Sequence, residues 1–66
     1  MKFTAIASKN PDNGKGWQFE ADTLEDCHQW LQNLMDSLKH GFYYGILNNE
    51  SDQFEETSIA IYFKEN

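Results

Sequence analysis

The sequence predicts an α+β fold of order β-β-α-β-β, in which a four-stranded, mainly antiparallel sheet carries one helix on one face. Two periodicities and one turn signal support this prediction. Trp17, Phe19 and Ala21 alternate with polar residues, as in a half-buried strand. Between 24 and 38, apolar residues recur at steps of three and four, as on one face of a helix. Turn-forming residues are dense at 10–16, before the alternating segment.

The first two strands are predicted at 2–9 and 17–22, joined as a hairpin. In the segment between them, Pro11 presets φ for a turn and Gly14 tolerates positive φ. The hairpin therefore forms the start of the sheet.

The helix is predicted to begin after Thr23, whose hydroxyl can accept an amide hydrogen of the first turn. Glu25 and Asp26 suit the positive end of the helix dipole. Gly41, after Lys39, is the expected left-handed stop. A helix of about 16 residues is about 24 Å long, close to a seven-residue strand, so it can lie across one sheet face. Its apolar stripe consists of Leu24, Cys27, His28, Leu31, Leu34, Met35 and Leu38.

The third strand is predicted at 42–47 and the fourth at 57–64, with a polar loop at 48–53 between them. In the fourth strand one alternating set is Ile59, Ile61 and Phe63, and the other is Ser58, Ala60 and Tyr62. The favoured spatial order of the strands is 2-1-3-4, because every neighbouring pair is then antiparallel. The orders 1-2-3-4 and 2-1-4-3 each require one parallel pair and stay open.

The charge balance bears on the class of partner. The chain has 66 residues, 11 acidic and 5 basic, so its net charge is 5 − 11 = −6. Its length allows a single domain, 1–66, with a thin core. All five basic residues are lysines and none is arginine, so bidentate contacts with phosphate or guanine are not available. Direct binding to nucleic acid or to an anionic membrane is disfavoured, and a basic protein surface is the expected partner.

The single cysteine, Cys27, suits a reducing compartment, and no apolar run reaches the length of about 18 residues typical of a membrane helix. We therefore expect a cytoplasmic protein. Cys27 and His28 are adjacent on the helix, about 100° apart, so they do not face each other as a nucleophilic pair would. Neither a metal site, nor a cofactor site, nor a catalytic arrangement is expected.

One helix covers only one face of the sheet, so the other face is expected to be polar and acidic and to carry tyrosine. Gln18, Glu20 and Asp22 belong to it, with Thr4, Tyr62 and either Tyr43 or Tyr44. Carboxylates about 6–7 Å apart, as at alternate strand positions, can stand in for DNA phosphates in a basic groove. The expected partner-binding residues are the acidic Glu20, Asp22, Glu25, Asp26, Glu50, Asp52, Glu55 and Glu56 and the apolar anchors Trp30, Tyr43 and Tyr62.

Each feature also has a purely structural interpretation. The acidic residues can form a solvated surface that keeps a small protein soluble. Trp30 can pack over a strand end, and Phe54 can cap the open end of the core.

The residues 7–14, Ala-Ser-Lys-Asn-Pro-Asp-Asn-Gly, followed by Trp-Gln-Phe-Glu at 17–20, resemble the opening of a type I anti-CRISPR family. The similarity covers the first strand, an Asn-Pro-Asp-x-Gly turn and an aromatic second strand. It implies a small phage-encoded inhibitor, acting in the cytoplasm of the bacterial host. Such a protein binds a Cascade-type CRISPR surveillance complex and blocks recognition of target DNA, its acidic groups imitating the DNA backbone.

Two functions are therefore carried forward. The first is a non-enzymatic, acidic inhibitor that occupies the basic DNA-binding site of a partner protein. The alternative is a small protein–protein interaction module, antitoxin-like or an assembly factor. It would use the open sheet face or a free edge strand, as a monomer or a homodimer.

Overall fold

The computed structural model describes residues 1–9 and 16–63, and its elements follow the predicted order. They are β1 (Phe3–Ser8), β2 (Trp17–Ala21), α1 (Leu24–Leu38), β3 (Phe42–Asn48) and β4 (Gln53–Ala60). Most of the turn expected at 10–16, with Pro11 and Gly14, lies outside the described residues, as does Lys64 at the predicted end of the fourth strand.

The four strands form one antiparallel sheet in the order β2-β1-β3-β4, which confirms the favoured strand order. One row across the sheet fixes its register: Glu20 lies opposite Thr4, Thr4 opposite Leu47, and Leu47 opposite Phe54. The end of β2, the start of β1, the end of β3 and the start of β4 therefore lie at the same end of the sheet.

The core lies between α1 and the β1–β2 side of the sheet. Ala5 and Ala7 of β1 are completely buried, and their small side chains let the helix approach the sheet closely. From α1, the stripe residues Cys27, Leu31 and Met35 are buried against them, as the periodicity predicted.

The two ends of α1 are held differently from each other. Thr23 is the N-cap, as predicted, and its Oγ1 accepts the N–H of Asp26 at 3.1 Å. At the C-terminus the prediction was wrong, because Lys39 rather than Gly41 is left-handed, with φ 58°, and its N–H donates to Met35 O at 2.8 Å. Gly41 has another role, since a Cβ there would lie 2.7 Å from the carbonyl oxygen of Ala60.

The fourth strand differs most from its prediction. It begins at Gln53 and ends at Ala60, not 57–64, so that Phe54 lies in a strand and not in a polar loop. A bulge at Glu55, where Ile46 pairs with Glu56 and Leu47 with Phe54, accommodates the extra length.

The faces of this segment also differ from the prediction. Ile59 pairs with Tyr43 on the face away from α1, and Ala60 pairs with Phe42 on the helix side. Tyr62, expected on the open face, is half-buried against the core and lines a groove beside α1. The physical reason is the position of the helix. Because α1 packs on the opposite face of the sheet, no apolar layer among the described residues covers Ile59.

Candidate protein-binding surface

Eight acidic side chains gather at one end of the molecule, which we call the acidic end. The register places the exit of β2, the first turn of α1, the β3–β4 turn and the start of β4 there. Across the sheet this end is about 14 Å wide, three strand spacings of about 4.8 Å. Its members are Glu20, Asp22, Glu25, Asp26, Glu50, Asp52, Glu55 and Glu56, all exposed except the half-buried Glu56.

The β3–β4 turn that carries Glu50 and Asp52 is fixed by hydrogen bonds from two asparagines. Asn48 Oδ1 accepts the N–H groups of Glu50 and Ser51 at 2.9 and 3.3 Å, and Asp52, left-handed with φ 58°, donates its N–H to Asn48 O at 2.8 Å. Carboxylates on this turn are therefore presented in a defined geometry.

Asn49 ties the same turn to the first strand. Its side chain donates to Met1 O at 3.0 Å and accepts from Thr4 Oγ1 at 2.9 Å, while its main-chain N–H donates to Lys2 O at 2.8 Å. The sequence predicts only a polar loop at 48–53, and the anchoring of the acidic end by Asn48 and Asn49 is visible only in the structure.

The negative charge of the acidic end has little compensation from lysine. In residues 1–9 and 16–63 the one contact within 4.0 Å between a carboxylate and a basic side chain joins His28 Nε2 to Glu56 Oε1 at 3.1 Å. Lys2 is at this end, and its ammonium lies 5.4 Å from the centroid of the Phe3 ring. Lys9 and Lys39 follow the C-terminal ends of β1 and α1, at the opposite end of the sheet. The described part of the chain is therefore electrically polarised along the strands.

The open sheet face is less acidic than predicted. Of its expected acidic members, Glu20 lies on β2, but Asp22 follows the last strand residue, so strand geometry does not set the spacing between them. Of the two candidate tyrosines, Tyr43 is on the open face and Tyr44 on the helix side. Both Ile6 and Leu47 are on the open face and half-buried. The acidic groups border this face at one end rather than covering it.

Instead, large apolar side chains are exposed along β4, in the residues that follow it and at Tyr43 on the neighbouring β3. We call this set the apolar strip. Its exposed fractions rise from 40% at Tyr43 and 54% at Phe54 to 57% at Ile59, 66% at Ile61 and 81% at Phe63. Exposed apolar patches of this kind are typical of protein interaction sites. The alternation at 57–64 hid this feature, because it predicts a buried face equally well.

Two depressions flank the apolar strip. On the open face a shallow one of about 200 Å³ is lined by Ile6, Tyr43, Phe54 and Thr57, with Gly45 at its floor. On the helix side a groove of about 490 Å³ runs between α1 and β4. Its lining includes Leu31, Met35, Tyr44 and Tyr62, with His28 and Asp36 from α1.

Trp30, one of the expected anchors, is engaged within the protein. It is half-buried and its ring stacks on Phe19, with centroids 5.4 Å apart and planes 10° from parallel. This geometry packs α1 against β2 and leaves part of the indole accessible.

Cys27 and His28, adjacent on α1, have different surroundings. Cys27 is fully buried, and burial raises the pKa of its thiol, with the charges of Asp26 and Glu56 adding to the shift. His28 points instead to Glu56 on β4. No group of three His, Cys, Asp or Glu side chains able to hold a metal ion is found in 1–9 and 16–63.

Comparison with protein-family models, with curated proteins and with solved structures gives no match for this chain. None of the helices in the described part of the chain has the length and apolar character needed to cross a bilayer.

Proposed function

We propose that this protein is a non-enzymatic inhibitor that docks its acidic end on the basic, DNA-binding surface of another protein. The observation that carries this proposal is the gathering of eight carboxylates at one end, with no lysine within ion-pair distance of them among the described residues. Carboxylates without local counter-charges attract a cationic groove through the same long-range field that DNA phosphates produce.

The rigidity of the acidic end supports the same proposal. Glu50 and Asp52 are held on a turn that three asparagine-mediated contacts fasten to β1 and β3. A pre-organised set of charges loses less conformational entropy on binding than charges on a flexible tail. The accessible part of Trp30 would supply apolar contact beside the charged groups, as aromatic residues do at many interfaces. Tyr43, the other expected anchor, lies opposite Ser8 and Ile59 towards the far end of the sheet and would not reach the same partner surface.

The defined partner to test first is a type I CRISPR surveillance complex, since the similarity at 7–14 and 17–20 implies an anti-CRISPR inhibitor. The purified protein is added to such a complex before labelled target DNA. Blocking of DNA binding supports this partner. Undiminished DNA binding at saturating inhibitor rejects it, and leaves other basic DNA-binding proteins as the class to search.

The broader proposal is tested by capture from bacterial lysate on the immobilised chain, followed by elution with duplex DNA. We expect DNA to release a basic protein. Glu50→Lys should reduce capture strongly, whereas the matched control Asp36→Lys, which makes the same change in net charge on α1, should retain it. Capture that resists DNA and is equal for both variants would contradict the proposal.

A second candidate function is a protein–protein interaction module, antitoxin-like or an assembly factor, and the apolar strip favours it. Its five large side chains are 40% to 81% exposed, and exposed apolar side chains grouped in this way are typical of protein interaction sites. A partner held there would bind through apolar contact, so its affinity would vary little with salt. This separates it from a partner held by the acidic end.

A further inference from the structure

We propose that the β4 edge pairs with a second copy of this chain, so that two sheets join edge to edge as an antiparallel, two-fold symmetric dimer. The surface lies away from the acidic end, and the inference does not depend on the proposed inhibitor function. It rests on the edge position of β4, on the residues exposed along it and on where its charges lie.

β4 is an edge strand of eight residues, Gln53–Ala60, next to β3 on one side only. An edge presents a row of unpaired main-chain N–H and C=O groups, which natural proteins protect with charges, proline or bulges. The first half of β4 has such protection, in the Glu55 bulge and Glu56. Residues 57–63, Thr-Ser-Ile-Ala-Ile-Tyr-Phe, contain no charge, no proline and no glycine. β4 itself ends at Ala60, so the open stretch of the edge is 57–60, which residues 61–63 would extend in the dimer.

The charges select the register. In an antiparallel pair centred on Ala60, residue 59 of one copy faces residue 61 of the other, and residue 57 faces residue 63. Ile59 then packs against Ile61, and Thr57 packs against Phe63. The three apolar side chains in these pairs are each more than half exposed in the single chain. Pairing centred nearer the start of β4 would bring Glu55 and Glu56 of the two copies together. Repulsion between these like charges disfavours that register. The uncharged segment therefore pairs with itself.

The exposed area suits a second copy. The exposed fractions of Ile59, Ile61 and Phe63 together equal about two whole side chains, or about 400 Å² per copy at about 200 Å² for each. Two copies bury at most about 800 Å² of these side chains between them, below the roughly 1,200 Å² at which stable interfaces begin. A reversible dimer of modest affinity is expected.

Salt should strengthen this dimer. Each copy carries a net charge of −6, so the two repel each other at a distance, and added salt screens that repulsion. A complex of the acidic end with a basic partner has the opposite dependence, because salt screens attraction there. The two proposals can therefore fail independently.

The test is the molar mass by light scattering over a series from about 1 µM to about 1 mM chain, which brackets the affinity of a small interface. The mass should rise from 7.7 kDa towards twice that value as the chain concentration increases. In high salt this rise should begin at a lower chain concentration than in low salt. Ile61→Lys should weaken dimerisation by about tenfold or more, since it places an ammonium in the interface of each copy. Leu24→Lys, with the same change in charge at a side chain 37% exposed on α1, should dimerise like the wild type.

The register is tested by mild oxidation of two cysteine variants, with the buried Cys27 as background. Ala60→Cys should cross-link rapidly to its own counterpart, whereas Thr57→Cys should not, because its counterpart would lie about 20 Å away. A mass of one chain at every concentration, growth beyond two chains, equal behaviour of the two lysine variants, or equal cross-linking of the two cysteine variants would overturn the proposal.

Discussion

The ring of Phe54 lies directly over Gly45 on the sheet face away from the helix. A Cβ built on Gly45 would be 2.9 Å from Phe54 Cε1 and 3.0 Å from Cδ1. The aromatic ring thus covers the main chain of the neighbouring strand at the one position of β3 that has no side chain, an arrangement that stabilises glycine within sheets. It also explains why Gly45 is buried on a face that no helix covers.

Because of this contact, Gly45→Ala should change the free energy of unfolding in opposite directions in the wild type and in a Phe54→Ala variant. Gly45→Ala in the wild type should lower the free energy of unfolding by about 1 kcal/mol, because the added methyl group displaces the Phe54 ring. In a Phe54→Ala background the same change should raise it by about 0.5 kcal/mol, since alanine is a better strand residue than glycine. Urea denaturation of the four proteins measures both values. Equal effects in the two backgrounds would mean that the ring does not pack on Gly45.

The stacking of Trp30 on Phe19 predicts that Trp30, which is also an expected interface residue, contributes to the stability of the fold. Trp30→Ala should lower the free energy of unfolding by about 2 kcal/mol, less than for a fully buried tryptophan. The double-mutant cycle with Phe19→Ala should give a coupling energy of about 1 kcal/mol. Leu24→Ala, a partly exposed residue on the same helix, is the control and should show no coupling with Phe19→Ala. A coupling near zero for Trp30 would contradict the stacked geometry.

The buried thiol of Cys27 predicts a loss of stability at alkaline pH. Because burial raises its pKa above the ordinary value of 9.0, the unfolded chain releases this proton at a lower pH than the folded chain. The stabilisation is therefore fully present below pH 9.0 and is lost as pH rises through the higher, folded-state pKa. Cys27→Ala should lower stability at neutral pH but should flatten the alkaline decline. Urea midpoints at several pH values measure it, and parallel declines in both proteins would exclude a shifted thiol.

Much of the fold could be predicted because local and long-range signals agree. The step of three and four residues from Cys27 to Met35 and the cap at Thr23 specify α1 without tertiary information. The antiparallel preference then gives the strand order. Gly41 was wrongly expected to end the helix. A glycine is needed there because the main chain of Ala60 passes close to it, and this contact is visible only once β3 and β4 are paired.

The candidate surface was harder to predict because it depends on which face of the sheet the helix covers. Alternation at 57–64 indicates a strand with an apolar side but not whether that side is covered. Ile59 is exposed because it lies on the face away from α1. The gathering of the carboxylates likewise follows from register, since Glu20 and Glu50 are thirty residues apart in sequence and meet at one end through β1.

The most direct test of the account is the dissociation constant of the captured partner as a function of salt, measured for the wild type and three variants. We predict that the wild-type complex weakens steeply as salt rises, and that Glu50→Lys weakens it about tenfold, more than Glu50→Gln does. Asp36→Lys should stay close to the wild type. A dissociation constant that is the same at low and high salt, or that responds equally to lysine at 36 and at 50, would contradict binding through the acidic end.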